Sequence, residues 1–230
     1  MRKSVFVHLP KTAGTSFHTA LRQTLGVEAV SPSFIATNLS PADAERLDRY
    51  TIISGHISMA DVQRYFSDRM ILTILRDPVD RCLSWYYFAR KGSTRAFASD
   101  FVEAKRRSIE DFFALDYKIT YRNIFNRQVR QLGDHVLNVE ADLERATQNA
   151  KDVLRSAVWV GRQENLAADI GRLGQRLPEL AGLALPTVNA TGDRRAQDDL
   201  APALIDRIRA LNEYDLELYS FATRDICAPA

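Results

Sequence analysis

The stretch Pro10-Lys11-Thr12-Ala13-Gly14-Thr15-Ser16 sits between an apolar run and the start of a helical pattern. The first N–H groups of a helix have no intrahelical partner, and the helix dipole favours an anion beside them. Lys11 adds a full positive charge, the hydroxyls of Thr15 and Ser16 add donors, and Gly14 permits a sharp turn. The stretch therefore reads as an anion site, with a plain strand-to-helix turn capped by a hydroxyl as the alternative. It departs from the triphosphate loop G-x-x-x-x-G-K-[ST], because Thr15 follows Gly14 and the lysine precedes the glycine. A lysine so early in a short loop suits a 5′-phosphate and its leaving group better than a β/γ-phosphate pair.

A second candidate runs from Leu75-Arg76-Asp77-Pro78 to Ser84-Trp85-Tyr86. Arg76 closes an apolar run, and Ser84 follows inside the next helix. A guanidinium and a hydroxyl so placed could jointly grip a second phosphate. An ion-paired helix start explains Arg-Asp-Pro equally well. The third candidate is Ser54-Gly55-His56-Ile57-Ser58, where His56 brings a group able to take a proton near neutral pH. Among the other histidines, His8 is expected to be buried in its strand. His18 falls between surface and cleft, and His135 is solvated in a turn. Tyr86-Tyr87-Phe88 reads as core, and Lys105-Arg106-Arg107 as a solvated face.

These residues need elements to hold them. Residues 4–8, 50–53, 70–75 and 158–161 are β-branched, aromatic or otherwise apolar, and read as buried strands. The run 70–75 is apolar at almost every position, as an inner parallel strand should be. Helical patterns cover residues 15–25, with Thr15 or Ser16 as cap, and 41–48, 59–66, 78–88, 109–115, 121–132, 143–156 and 165–177. A final helix is expected from Leu204, continuing toward Ala222. Residues 31–40 and 182–199 read as loops. Strands alternating with helices predict an α/β fold: three layers, a mainly parallel sheet flanked by helices, and a P-loop-like nucleotide site. Ligands in such folds sit beyond the carboxyl ends of the strands.

Composition narrows the function classes. The chain has 230 residues, 46% hydrophobic and 26% charged, which fits one globular domain over residues 1–230 and excludes disorder. Its net charge is only +2, so no overall basic field draws it to nucleic acid. Cys82 and Cys227 are far apart in sequence and read as free thiols in a reducing compartment. No apolar run reaches transmembrane length, and the first one is too short for a signal-peptide core. The expectation is a cytoplasmic protein without integral membrane contact.

Taken together, the motifs resemble those of sulfotransferases that use 3′-phosphoadenosine 5′-phosphosulfate (PAPS). Residues 10–16 resemble their 5′-phosphosulfate loop. Residues 76–86 resemble their 3′-phosphate motif, in which the arginine and the serine eight residues on hold that phosphate. Gly55-His56 resembles the branch with the heparan and uronyl 2-O-sulfotransferases, where this histidine is the catalytic base. Asn126-Arg127-Gln128-Val129-Arg130-Gln131-Leu132 is similar to that branch's N-x-Q-x-R-x-L helix. Residues 160–164 and 189–195 lie where the family closes over the nucleotide. The animal members carry a membrane anchor and a longer lumenal domain, neither of which is expected here, and Asn189-Ala190-Thr191 stand where the heparan enzymes are more basic.

The resemblance implies O-sulfotransfer from PAPS, with no metal, to an acceptor hydroxyl on a carbohydrate or glycoconjugate. It implies His56 as base and Lys11 as the charge that meets the leaving oxygen. Lys11, Thr12, Ala13, Gly14, Thr15, Ser16, Arg76 and Ser84 would hold the donor. Two other readings remain open from the residues. One is a nucleotide or sugar kinase with Asp77 holding Mg²⁺. The other is a non-catalytic module binding a nucleotide or a sulfated ligand, which would have no need of His56. The residues do not reveal the oligomeric state, and they leave sugar, lipid, phenol and peptide acceptors open.

Overall fold

The computed structural model describes residues 2–36, 38–91, 99–120, 122–133, 142–186 and 197–227. Five strands form one sheet: β1 (Ser4–Val7), β2 (Phe34–Ile35), β3 (Ile52–His56), β4 (Met70–Leu75) and β5 (Trp159–Arg162). Their order is β2-β3-β1-β4-β5, and every pairing is parallel. Such a sheet must be covered on both faces. Val5 and Val7 of β1 point to one face and Phe6 to the other, and each face has its own apolar core.

On the Val5 face pack α2 (Pro41–Asp48), α3 (Met59–Tyr65), α8 (Arg127–Gly133), α9 (Leu143–Ser156) and α12 (Glu213–Phe221). On the Phe6 face pack α1 (Gly14–Leu25) and α10 (Leu166–Arg176). A third apolar cluster joins α4 (Pro78–Lys91), α5 (Ser99–Arg106), α6 (Ile109–Phe113) and α11 (Pro202–Ala210), centred on Trp85, Tyr86, Phe112 and Ile208. The short α7 (Tyr117–Thr120) adjoins this cluster through Tyr117. Each large apolar side chain fully buried in these cores contributes about 1.5–3 kcal/mol.

The three-layer α/β architecture agrees with the sequence expectation, with some differences of detail. β3 does not stop at Ile53 but continues through Ser54-Gly55-His56. Phe34 and Ile35 pair with Gly55 and His56, which extends the sheet toward the site. Gly55 makes this possible, since a β-carbon there would stand 2.7 Å from the Phe34 ring. The expected C-terminal helix is two helices broken at Asn212, whose amide bonds the Ile208 carbonyl and accepts from the Asn126 N–H. The helix expected from residue 121 begins only at Arg127, because Asn126 stands at φ 43°. Helices α5 and α7 had no sequence expectation. Among the described residues, no helix is long and apolar enough to cross a membrane. Cys82 and Cys227 are both free and buried.

Candidate functional site

Val7 is in register with Gly55 of β3 and Thr73 of β4, so the carboxyl ends of three adjacent strands open at one edge. The His8 N–H donates to the Gly55 carbonyl (2.9 Å), and the Thr73 hydroxyl donates to the Val7 carbonyl (2.9 Å). The chain fills β3 and β2 on one side of β1 and then β4 and β5 on the other. This edge is therefore the topological switch point, where α/β folds bind ligands.

The loop after β1 turns differently from the expectation. Lys11 (φ 69°) and Ala13 (φ 67°), not Gly14, adopt the left-handed conformation. Such residues turn backbone N–H groups toward a common concavity that can hold an anion. The helix starts at Gly14 with Ala13 at its cap position and no side-chain cap, so neither Thr15 nor Ser16 is the cap. No acidic residue stands in its first turn, which leaves the N–H groups of Gly14, Thr15 and Ser16 to an anion. Thr15 is exposed and Ser16 half-buried. The Thr12 hydroxyl is turned inward to the Leu9 carbonyl (2.9 Å), so Thr12 can offer a ligand only its backbone.

Arg76 joins the second motif to the first. Its Nη1 donates to the Lys11 carbonyl (3.1 Å), and its own backbone is clamped by Gln128. Gln128 Oε1 accepts from the Arg76 N–H (3.0 Å) while Nε2 donates to the Arg76 carbonyl (2.9 Å). The Lys11 ammonium lies 4.1 Å from the centroid of the Phe88 ring. Phe88 is 45% exposed and so is not the core residue expected, whereas Tyr86 is buried as expected. Half-buried Ser84 is one turn before Phe88 on the same face of α4. Asp77 caps α4, its carboxylate accepting from the Asp80 N–H (2.9 Å) and Gln197 Nε2 (3.1 Å). The Asp77 N–H donates to Glu164, whose other oxygen accepts from the Tyr219 hydroxyl.

His56 stands at the end of β3. Its Nδ1 is 2.7 Å from the His8 carbonyl oxygen, which can only accept, so Nδ1 carries the proton and Nε2 the lone pair. The His56 ring stacks on that of His8 at 4.1 Å and 27°. Burial lowers the His56 pKa below the ordinary histidine value; the bond to the His8 carbonyl opposes this, and the charge of Arg127 reinforces it. His8 is pushed down to about 3 by burial and by His56, His18 and Lys11. His18 bonds Ser54 Oγ (2.8 Å) and is lowered by burial and by Arg22. All three imidazoles are therefore neutral at pH 7. Asp61 is a poor substitute base, because its carboxylate accepts from the Leu39 N–H and the Ser58 hydroxyl.

Sequence reasoning missed the bracing role of α8. Besides Gln128, Gln131 reaches under the site, its Nε2 donating to the carbonyls of His8 (3.1 Å) and Ile57 (3.1 Å). Arg127 Nη2 in turn donates to Gln131 Oε1 (2.9 Å). The available signal was a helix whose polar residues exceed what one solvated face needs. Residues 189–195 and His135 lie outside the described residues. A cleft of about 630 Å³ between α3 and α9, lined by Met59, Gln63, Phe66, Leu132, Asn149 and Val153 among others, includes none of the residues singled out from the three motifs.

Comparison with known proteins bears on this arrangement. A zebrafish (Danio rerio) protein, heparan-sulfate 6-O-sulfotransferase 2, is 28% identical over 181 residues, covering 67% of this chain and 37% of that protein. The chain thus spans little more than a third of that relative's length. That relative is a 6-O enzyme, whereas Gly55-His56 resembled the 2-O branch. A solved sulfotransferase from Alicyclobacillus acidocaldarius aligns over 99% of this chain and 98% of its own, at 16% identity and a TM-score of 0.47. The model of the sulfotransferase family matches residues 2–222, from before β1 to the end of α12. That match takes in all three strand-end motifs together with the helix that braces them, and the chain belongs to the sulfotransferase family.

Proposed function

We propose that the chain transfers the sulfuryl group of PAPS to an acceptor hydroxyl. The observation that carries this reading is the convergence at one sheet edge of an uncapped helix start, a buried guanidinium and a neutral imidazole. The Arg76–Lys11 and His56–His8 contacts link them. The residues fit the donor: a loop turned by two left-handed residues, a helix start free of acidic groups, and two cations in reach of anionic oxygens. PAPS supplies a sulfur centre attached to a phosphate leaving group.

The chain's residues meet three needs of that chemistry. Lys11 and the N–H groups of Gly14, Thr15 and Ser16 offset the charge that grows on the departing phosphate oxygen. Arg76 and Ser84 hold the 3′-phosphate and so orient the donor. His56 Nε2 takes the proton of the attacking hydroxyl, and the carbonyl of His8 steadies the ring as it becomes cationic.

A carbohydrate or glycoconjugate hydroxyl is the acceptor we favour, supported by the heparan-sulfate relative. Against the kinase reading, the Asp77 carboxylate is engaged as a helix cap by the Asp80 N–H and by Gln197. The test is incubation with ³⁵S-labelled PAPS and a panel of oligosaccharide, phenol, lipid and peptide acceptors, with an ATP and Mg²⁺ arm. Label in a carbohydrate, with release of 3′-phosphoadenosine 5′-phosphate (PAP), is the expected result. Phosphorylated acceptor in the ATP arm, with no label transferred from PAPS, would overturn it.

A further inference from the structure

Gln131 is completely satisfied in a buried position. Both Nε2 hydrogens are used, one on the His8 carbonyl and one on the Ile57 carbonyl, and Oε1 receives Arg127. Turning the amide over would set its oxygen against two carbonyls and its NH₂ against a guanidinium, so Arg127 fixes its orientation. His8 follows the last residue of β1, and Ile57 follows the last residue of β3. The amide therefore ties together the two strand ends that flank the His56 ring. The His8 carbonyl takes two donors at once, Gln131 Nε2 and His56 Nδ1.

We propose that Gln131 is a positioning residue for His56, acting through the His8 carbonyl that the two side chains share. The proposal rests on the reading of His56 as the base. Sharing that carbonyl has a direct consequence. Two donors divide its electron density, so the bond that would stabilise a cationic His56 is weaker than it would be alone. Removing the Gln131 donor concentrates the carbonyl on Nδ1–H and favours the imidazolium. The charged and titratable groups around this pair are His8 just after β1, Lys11 from the following loop, His18 from α1 and Arg127 from α8, with Asp61 on α3. Replacing Gln131 by Met leaves all of them in place.

The test is NMR titration of His56, assigned by comparison with His56→Ala, in the wild-type protein and in Gln131→Met and Gln131→Glu. In the wild type the ¹⁵N shifts report the Nδ1–H tautomer, and an Nε2–H tautomer overturns the proposal outright. In Gln131→Met the midpoint rises by about 0.5–1 pH unit, the worth of one net hydrogen bond. In Gln131→Glu it rises further, because a carboxylate also offsets the charge of Arg127. The acid limb of kcat/KM for sulfuryl transfer moves the same way. An unchanged His56 midpoint in folded Gln131→Met, with only a lower Tm, reduces Gln131 to a structural brace. Because the titration needs no turnover, a shifted midpoint in a protein that transfers no sulfuryl group would sink the catalytic reading and leave the positioning intact.

Discussion

A β-carbon on Gly14 would stand 1.9 Å from Cδ2 and 2.1 Å from Nε2 of the His8 ring. The first residue of α1 is thus glycine to make room for a histidine, not to make the turn. Because His8 also stacks on His56 and holds it through its carbonyl, the start of α1 and the His56 ring share one packing surface. Gly14→Ala should push the ring out of place, costing about 1–3 kcal/mol by overpacking. It should also lower turnover. Ala13→Gly is the contrasting change. At φ 67° it relieves about 1 kcal/mol of left-handed strain, and it should not lower the Tm. Thermal melts of the two variants check both directions.

Arg76 reaches the loop through Nη1, and its backbone is fixed by Gln128. If it holds the 3′-phosphate, the wild type should bind PAP more tightly than AMP. The expected margin is about 10- to 150-fold, the worth of a charge-assisted hydrogen bond. Arg76→Ala should erase most of that margin. Equal affinities of the two nucleotides for the wild type, measured by calorimetry, would remove the assignment.

Lys11 rests on the face of the Phe88 ring. If Lys11 meets the leaving oxygen, that contact grows stronger as charge develops there, so Lys11→Ala should lower kcat more than it weakens PAP binding. Losses of equal size in both would make Lys11 an ordinary phosphate anchor. Phe88→Leu removes the ring but not the charge, and should change kcat by less than Lys11→Ala does.

The strands and motifs were legible because each is local. Residues 70–75 form an uninterrupted apolar run, and the predicted bounds of β4, α2 and α9 match the structure. Strand β2 was not legible, since two residues give no periodicity and its partners are Gly55 and His56. The support for the site was not legible either. Gln128 and Gln131 act on residues 52 and 123 positions away, across the sheet edge. Such contacts leave no mark in sequence beyond too many polar residues on one helix. Gly14 was read as the residue that makes the turn, whereas what its missing side chain avoids is a ring six residues earlier in the chain.

The buried His8 also makes stability depend on pH. In the unfolded chain it takes a proton near 6.5, but in the folded protein only near 3. Between those values the unfolded state holds more protons, so this contribution to stability is complete above pH 6.5 and is lost as the pH falls. By pH 3 the loss from His8 is on the order of 4 kcal/mol. His8→Phe keeps an apolar ring that cannot charge. Its urea-unfolding free energy should therefore fall less steeply than the wild type's between pH 6.5 and 4. Parallel slopes would show that His8 is protonated in the folded state as well.

The proposed mechanism gives His56 the role of base. Its Nδ1–H is held by the His8 carbonyl, which leaves Nε2 to accept the hydroxyl proton, and burial keeps the ring neutral at pH 7. Removing such a base typically lowers the rate about 10²–10⁴-fold. His56→Ala should show that loss while PAP affinity stays nearly unchanged, since the proposed donor contacts are those of Lys11, Arg76 and the start of α1. Because the pKa of His56 is depressed, the wild-type rate should rise with pH along a limb lying below 6.5 and be level through pH 7–8. His56→Ala should lack that limb. Asp61 cannot take over without giving up its bonds to the Leu39 N–H and the Ser58 hydroxyl, so Asp61→Asn should leave the limb in place. If His56 merely held the loop, His56→Ala would melt at a lower temperature and keep its specific activity. A folded His56→Ala protein that transfers sulfuryl groups at near the wild-type rate would therefore remove the base from the mechanism.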